Sequence, residues 1–283
     1  MTQTVTDAPA QLAALRDRLR QRRRLLVAFS GGVDSALVAV VAAQVLGSAS
    51  VAVTAVSASL PGAERAAARR FAADHGLAHV EVCTDELDRP EYRANDGDRC
   101  FHCKSALLDA LQPLAEQSGA LIALGTNLDD LGDHRPGQRA AAARGAIAPL
   151  VEAGLGKDAV RAVSALLGLD TSVKPAAACL SSRVAYGDPV TREVLSRIER
   201  AEAALHALGF PVCRVRAHAR GTVARVELPT EELVRASEVG TRIDAAVRAA
   251  GFQFCAMDLQ GFRSGRMNVL LGLPELGTPV AGS

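Results

Sequence analysis

The residues Phe29-Ser30-Gly31-Gly32-Val33-Asp34-Ser35 combine adjacent glycines, two hydroxyls and a carboxylate. The apolar run Leu25-Leu26-Val27-Ala28 leads in, and Ala36-Leu37-Val38-Ala39-Val40-Val41-Ala42-Ala43 leads out. That pattern reads as a buried strand, a tight turn and a helix N-terminus. Such a turn binds anions, because its backbone N–H groups point outward unpaired and the helix dipole adds positive potential. Gly31 and Gly32 lack Cβ atoms, so phosphate oxygens can come close to the backbone. Asp34 is out of place beside an anion unless a divalent cation bridges the two. The chemistry implied is pyrophosphate with Mg2+. The alternative is an ordinary strand–turn–helix corner with a serine cap. The string fits neither the Walker A pattern nor the Rossmann dinucleotide pattern.

Three further clusters could do chemistry. Arg99-Cys100-Phe101-His102-Cys103-Lys104 opens a helical run carrying Leu107, Leu108, Leu111 and Leu114. Thiols at a helix N-terminus are biased toward thiolate, the form that binds metals and attacks electrophiles. Gly125-Thr126-Asn127-Leu128-Asp129-Asp130 continues to Gly137 at the end of the apolar run Ala120–Leu124, and suggests nucleotide or cation contacts. Lys174-Pro175-Ala176-Ala177-Ala178-Cys179-Leu180-Ser181-Ser182-Arg183 holds one thiol among small residues, with Lys174 and Arg183 near enough to favour its thiolate. A buried, inert Cys179 is equally compatible with this stretch. Cys83, at the end of a strand, is expected to be a buried structural thiol.

The elements that must position these clusters alternate strand and helix. Leu25–Ala28, Val51–Val56, His79–Cys83 and Ala120–Leu124 read as strands, with helices before, between and after them. The expected fold class is α/β: a parallel sheet with helices on both faces and ligands at the C-terminal strand ends. Glu91 to Asp98 reads as a loop. The pattern changes after Tyr186, giving expected domains 1–186 and 187–283. The second has a helix over 191–208, a hairpin of 212–217 with 223–228, two more helices and a strand over 252–259, hence a smaller α+β domain.

The chain has 283 residues, 49% hydrophobic, with a net charge of +1 and 3% aromatics. It lacks the basic field and stacking platforms that nucleic-acid binding draws on. No apolar run is long enough to span a membrane, and the N-terminus has no signal-type hydrophobic region. The six cysteines are therefore read in a cytoplasmic, reducing setting, where metal or reactive roles outweigh disulfides.

Ser30–Ser35 resembles the PP-loop of ATP pyrophosphatases. With the three further clusters and Gly261-Phe-Arg-Ser-Gly-Arg-Met-Asn268, in order along nearly the whole chain, the sequence resembles the LarE family. Those enzymes are ATP-dependent sulfurtransferases that serve nickel-pincer nucleotide biosynthesis for lactate racemase. The resemblance implies adenylation of a carboxylate of pyridinium-3,5-biscarboxylic acid mononucleotide, followed by replacement of AMP with sulfur. It implies ATP and pyrophosphate contacts at Ser30, Gly31, Gly32, Asp34, Ser35, Thr54, Gly125, Asn127 and Asp129, and catalytic roles for Cys179, Asp34 and Arg183. Cys100, Cys103 and Cys179 match cysteines that hold a [4Fe–4S] cluster in one branch of the family, with a sulfide source as partner. In another branch the cysteine matching Cys179 gives up its own sulfur. A zinc site would need a fourth ligand such as His102. Arg214, Arg216 and Arg263 are candidates for the substrate phosphate, and one of the two on the shared strand is expected to serve. The family also implies a homo-oligomer, a hexamer. The main competing reading is a PP-loop tRNA thiolase.

Overall fold

The computed structural model describes residues 7–132, 144–175 and 178–263. Asp133 to Gly137, Ala176, Ala177 and most of the Gly261–Asn268 stretch lie outside the described residues. The chain falls into two compact units, Met1–Glu86 with Cys100–Ala177, and Leu87–Arg99 with Ala178–Ser283. The expected break after residue 186 thus falls inside the second unit, and residues 87–99 join that unit from within the first.

In the first unit, β1 (Leu25–Ala28), β2 (Ser50–Val56), β3 (His79–Cys83) and β4 (Leu121–Ala123) form a sheet of order β3-β2-β1-β4. Every pairing is parallel. Side chains alternate across the pleat. Leu25 and Val27 therefore pack with α1 (Ala8–Arg20) and α2 (Val33–Leu46), while Leu26 packs with Leu108 and Leu111 of α5 (Arg99–Ser118). Both faces are covered, as an all-parallel sheet requires. This is the expected α/β architecture.

The sheet edge is pinned electrostatically. Arg65 and Arg69 on α3 (Gly62–Asp74) stand one helical turn apart and both fork onto Glu81 of β3, with Nη2–Oε2 distances of 2.6 and 2.5 Å. The segment expected as a loop contains a short helix, α4 (Pro90–Ala94). Pro90 suits its first position, and Tyr92 is buried.

From Thr191 onward the second unit runs as expected: a helix, two strands, two more helices and a strand. Thr191 caps the helix Arg192–Ala207, accepting from the Val194 N–H at 3.2 Å. The strands β5 (Arg214–His218) and β6 (Val223–Glu227) pair antiparallel, and β7 (Phe254–Met257) lies parallel to β6. The helices Arg192–Ala207 and Gly240–Ala249 pack on the sheet. No helix among the described residues is long and apolar enough to cross a membrane.

The forked pairing holds the Glu81 carboxyl down at about 2, from an ordinary 4.5. A carboxylate held low in the folded state stabilises fully above its unfolded value, and the gain is lost as pH falls through the folded one. Stability of the parent should therefore fall more steeply than that of Glu81→Gln between pH about 4.5 and about 2. The difference should shrink with salt, because the arginines are half in water. Urea denaturation across that range measures it, and identical slopes would remove the pairing from the account.

Candidate active site

The loop after β1 is shaped by its own hydroxyls. Ser35 Oγ accepts from the Ser30 N–H at 3.2 Å and donates to the Gly32 carbonyl at 3.1 Å, and Ser30 Oγ lies 3.1 Å from it. Gly31 has φ of +73°, and a Cβ there would sit 3.3 Å from Ala68 Cβ. Gly32 is the N-cap of α2 and supplies no side-chain cap. The first turn of α2 is thus left uncovered for an anion. Gly125, at the end of β4, approaches that turn so closely that a Cβ would lie 2.7 Å from the Ser35 nitrogen.

Asp34 stands in the first turn of α2, and its carboxylate accepts from Asn127 Nδ2 at 2.9 Å. Asn127 is buried; its Oδ1 accepts from the Asp129 and Asp130 N–H groups at 3.0 and 3.2 Å. The Asn127 N–H in turn donates to Asp130 Oδ2 at 3.1 Å. Burial raises the Asp34 carboxyl above its usual range; the Asn127 bond opposes this and the Asp130 charge adds to it. Two carboxylates so placed fit a divalent cation by donor chemistry, since a cation would relieve both desolvation and repulsion.

Other expected contacts are committed elsewhere. The Thr54 hydroxyl donates to the Phe29 carbonyl at 2.8 Å and lies 2.8 Å from His79 Nε2, so it supports the loop from behind. Asp129 accepts from the Lys157 N–H and caps the helix Lys157–Leu166. Lys174, expected to neighbour Cys179, donates to the Gly31 carbonyl at 3.0 Å and to Glu64 at 2.7 Å. Sequence reasoning missed Glu64 and His79 as parts of the loop's support. They carry no local signal, because their partners are distant in sequence.

In the second unit, Cys179 is exposed at the head of a 3-10 turn, Leu180–Arg183. Its carbonyl accepts from the Ser182 N–H at 3.1 Å, Ser182 Oγ at 2.7 Å and Arg183 Nη1 at 2.8 Å. Arg183 is buried against Glu202, 3.1 Å away, and also holds the Ala178 carbonyl. Arg183 thus holds the backbone on either side of the Cys179 thiol.

Arg214 and Arg216 are two positions apart and share one face of β5, so no division between faces separates them. What separates them is partners. Arg216 is buried, paired with Glu227 at 2.9 Å and bonded to the Ser182 carbonyl at 3.1 Å. Arg214 lies over the Phe262 ring at 5.2 Å, and Arg263 is exposed.

Cys100 is exposed and Cys103 half-buried in the first turns of α5, one helical turn apart. Cys83 is also exposed, correcting the expectation of a buried thiol. Among the described residues, no group of three or more His, Cys, Asp or Glu comes together as a metal site.

Residues 11–92 match the asparagine synthase family. An uncharacterized protein of Synechocystis sp. is 44% identical over 93% of this chain and 98% of its own. The pyridinium-3,5-bisthiocarboxylic acid mononucleotide synthase of Lactiplantibacillus plantarum is 36% identical over 98% of this chain and 99% of its own. An uncharacterized protein of Methanocaldococcus jannaschii is 22% identical over 90% of this chain and 98% of its own.

A Gly125→Ala substitution drives a methyl into the first turn of α2. It should weaken ATP binding by about tenfold or more, because displaced N–H groups no longer converge on the phosphates. Isothermal titration with Mg–ATP measures this, with Gly240→Ala, which like Gly125 is not at positive φ and whose Cβ would meet nothing within 4 Å, as the control for adding a methyl alone.

Proposed function

The chain belongs to the LarE family, and we propose that it converts a carboxylate of pyridinium-3,5-biscarboxylic acid mononucleotide to a thiocarboxylate at the expense of ATP. What carries this reading is the end-to-end match to the synthase in a chain whose uncapped α2 terminus sits beside Asp34. The PP-loop unit makes the protein an ATP-dependent enzyme.

A carboxylate resists attack because it has no good leaving group. Its oxygen attacks the α-phosphorus of ATP, the bond to the bridging oxygen breaks, and pyrophosphate departs, leaving an acyl-adenylate. The N–H groups of the Gly31–Ser35 turn receive the charge that develops on pyrophosphate. Asp34 is the residue we assign to Mg2+, which when bound neutralises part of that charge. A sulfur nucleophile then displaces AMP. Arg214 and Arg263 receive the substrate phosphate, for which a guanidinium fork is suited.

For the sulfur, we propose that Cys100, Cys103 and Cys179 hold a [4Fe–4S] cluster, whose thiolate donor set suits iron and which when bound supplies sulfur over repeated turnovers. A second reading is favoured by the exposure of the Cys179 thiol on a backbone held by Ser182 and Arg183. In it, the Cys179 thiolate attacks the acyl-adenylate and expels AMP, giving a thioester. Loss of the Cys179 Cα proton with cleavage of its Cβ–S bond then releases the thiocarboxylate and leaves dehydroalanine. Either version keeps exposed thiols reduced, hence a cytoplasmic setting, and the assembly is a homo-oligomer, a point that light scattering decides.

Purified protein with ATP, Mg2+ and the biscarboxylate should release AMP and pyrophosphate in step with a thiocarboxylate product. ATP turnover without sulfur in the product would defeat the reading. Anaerobic reconstitution should give bound iron and sulfide that Cys100→Ala loses. Single turnover without iron, with residue 179 lighter by the mass of hydrogen sulfide in peptide mass analysis, would instead establish the sacrificial route.

A further inference from the structure

The excursion Leu87–Arg99 leaves the first unit and joins the second, where it meets the turn that begins at Cys179. Its side chains converge on one residue of that turn. Tyr92 is buried, and its hydroxyl lies 2.6 Å from Ser181 Oγ. Arg99 is also buried and donates through Nη1 to the Ser181 carbonyl at 2.9 Å. The same nitrogen bonds Asn95 Oδ1, and the guanidinium lies over the Tyr186 ring at 5.5 Å.

Asn95 completes the frame. It ends α4 in the left-handed region, with φ of 61°, and donates through Nδ2 to the Ala185 and Asp188 carbonyls at 2.7 and 2.9 Å. Backbone bonds from Gly187 to Asn95 and from Val190 to Arg93 close it further. Burying a guanidinium against neutral acceptors is costly, and a staple that only stabilised the unit could be apolar. These bonds end on Ser181, in the turn whose first carbonyl, that of Cys179, already takes Ser182 and Arg183. The backbone is held from several sides while the thiol itself stays exposed. That combination of an immobile frame and an accessible sulfur is what orientation of a reacting group requires.

We propose that Tyr92 and Arg99 are positioning residues for sulfur transfer, fixing through Ser181 the turn that presents the Cys179 thiol. This rests on the reading of Cys179 as the sulfur-handling residue, and holds for either version of that chemistry. It separates the two halves of the reaction, since adenylation uses the loop of the first unit.

The test compares Tyr92→Phe, Arg99→Gln and Arg99→Lys with the parent in two assays. One is substrate-dependent isotope exchange between ATP and pyrophosphate, which reports adenylation. The other is thiocarboxylate formation. Tyr92→Phe, which removes one oxygen, should leave exchange near the parent rate and slow product formation by about tenfold, since a misplacement of ~1 Å costs up to ~100-fold. Arg99→Gln should slow transfer further, and Arg99→Lys, which keeps a donor for the Ser181 carbonyl, should restore part of it. Product formation unchanged in Tyr92→Phe and Arg99→Gln would overturn the proposal, as would a parallel fall in both assays for Tyr92→Phe. Absence of product from the parent chain would instead overturn the functional reading and take this proposal with it.

Discussion

The N-terminus of α2 carries no side-chain cap, and the first unit is arranged to keep it open. An uncapped helix end is unfavourable unless something else satisfies its N–H groups. Here three features hold the end in a shape suited to an anion. Gly31 turns in the left-handed region against Ala68 of α3, so the turn is tight and backed by a helix. Gly125 lets the end of β4 slide under the first turn of α2 without a Cβ between them. Lys174 grips the Gly31 carbonyl and is itself held by Glu64. The loop's shape is therefore set by contacts within the protein, which is the condition for N–H groups to stabilise charge without reorganising.

A different constraint governs the second unit. The face of its sheet that bears Arg214, Arg216 and Arg225 puts Arg216 opposite Arg225 in register. Like charges opposed on a sheet repel. Glu227, fully buried, answers both, at 2.9 Å from Arg216 and 3.1 Å from Arg225, and Asp258 takes Arg225 from the far side. Buried ions of this kind add little stability but are damaging when one partner is missing. Arg216 then extends to the Ser182 carbonyl, so the network reaches the turn that carries Cys179. Its service is to backbone placement, which is what sets it apart from Arg214 on the same face.

Much of this was legible in the residues themselves. The strand His79–Cys83 and the helix after Gly32 follow from apolar patterning and glycine placement, which act locally. The loop chemistry followed from residue types at fixed spacing. What could not be read is anything set by long-range register. Thr54 is expected at the nucleotide through the resemblance, but only the fold shows its hydroxyl turned to Phe29 and His79. Asp129 is the one the resemblance places at the nucleotide, but in the fold it accepts from the Lys157 N–H while its neighbour Asp130 closes on Asn127. The polar stretch at Glu91–Asp98 gave no sign that it belongs to the second unit, since its decisive contacts are Tyr92 to Ser181 and Asn95 to Ala185.

The cysteines show how environment divides one residue type into different chemistries. Cys213 is buried behind Glu202, and burial above all pushes its thiol up to about 12. Cys255 is pushed up to about 11, again chiefly by burial. Thiols held so high stay protonated and inert near neutral pH, and behave as small apolar groups. Cys100 and Cys179 are exposed, each where a helical element begins, and Cys103 follows one turn after Cys100. Cys83 is exposed too, but it ends a strand at the sheet edge, without such an N-terminus of its own. Exposure alone therefore does not set Cys179 apart from Cys83 and Cys100. Exposure together with a backbone held by side chains does set Cys179 apart, the combination that a nucleophile would need to be accessible with its approach fixed. The residues that hold that backbone, Ser182, Arg183, Tyr92 and Arg99, come from both sequence neighbours and the excursion, so the setting of this thiol is specified by the fold around it.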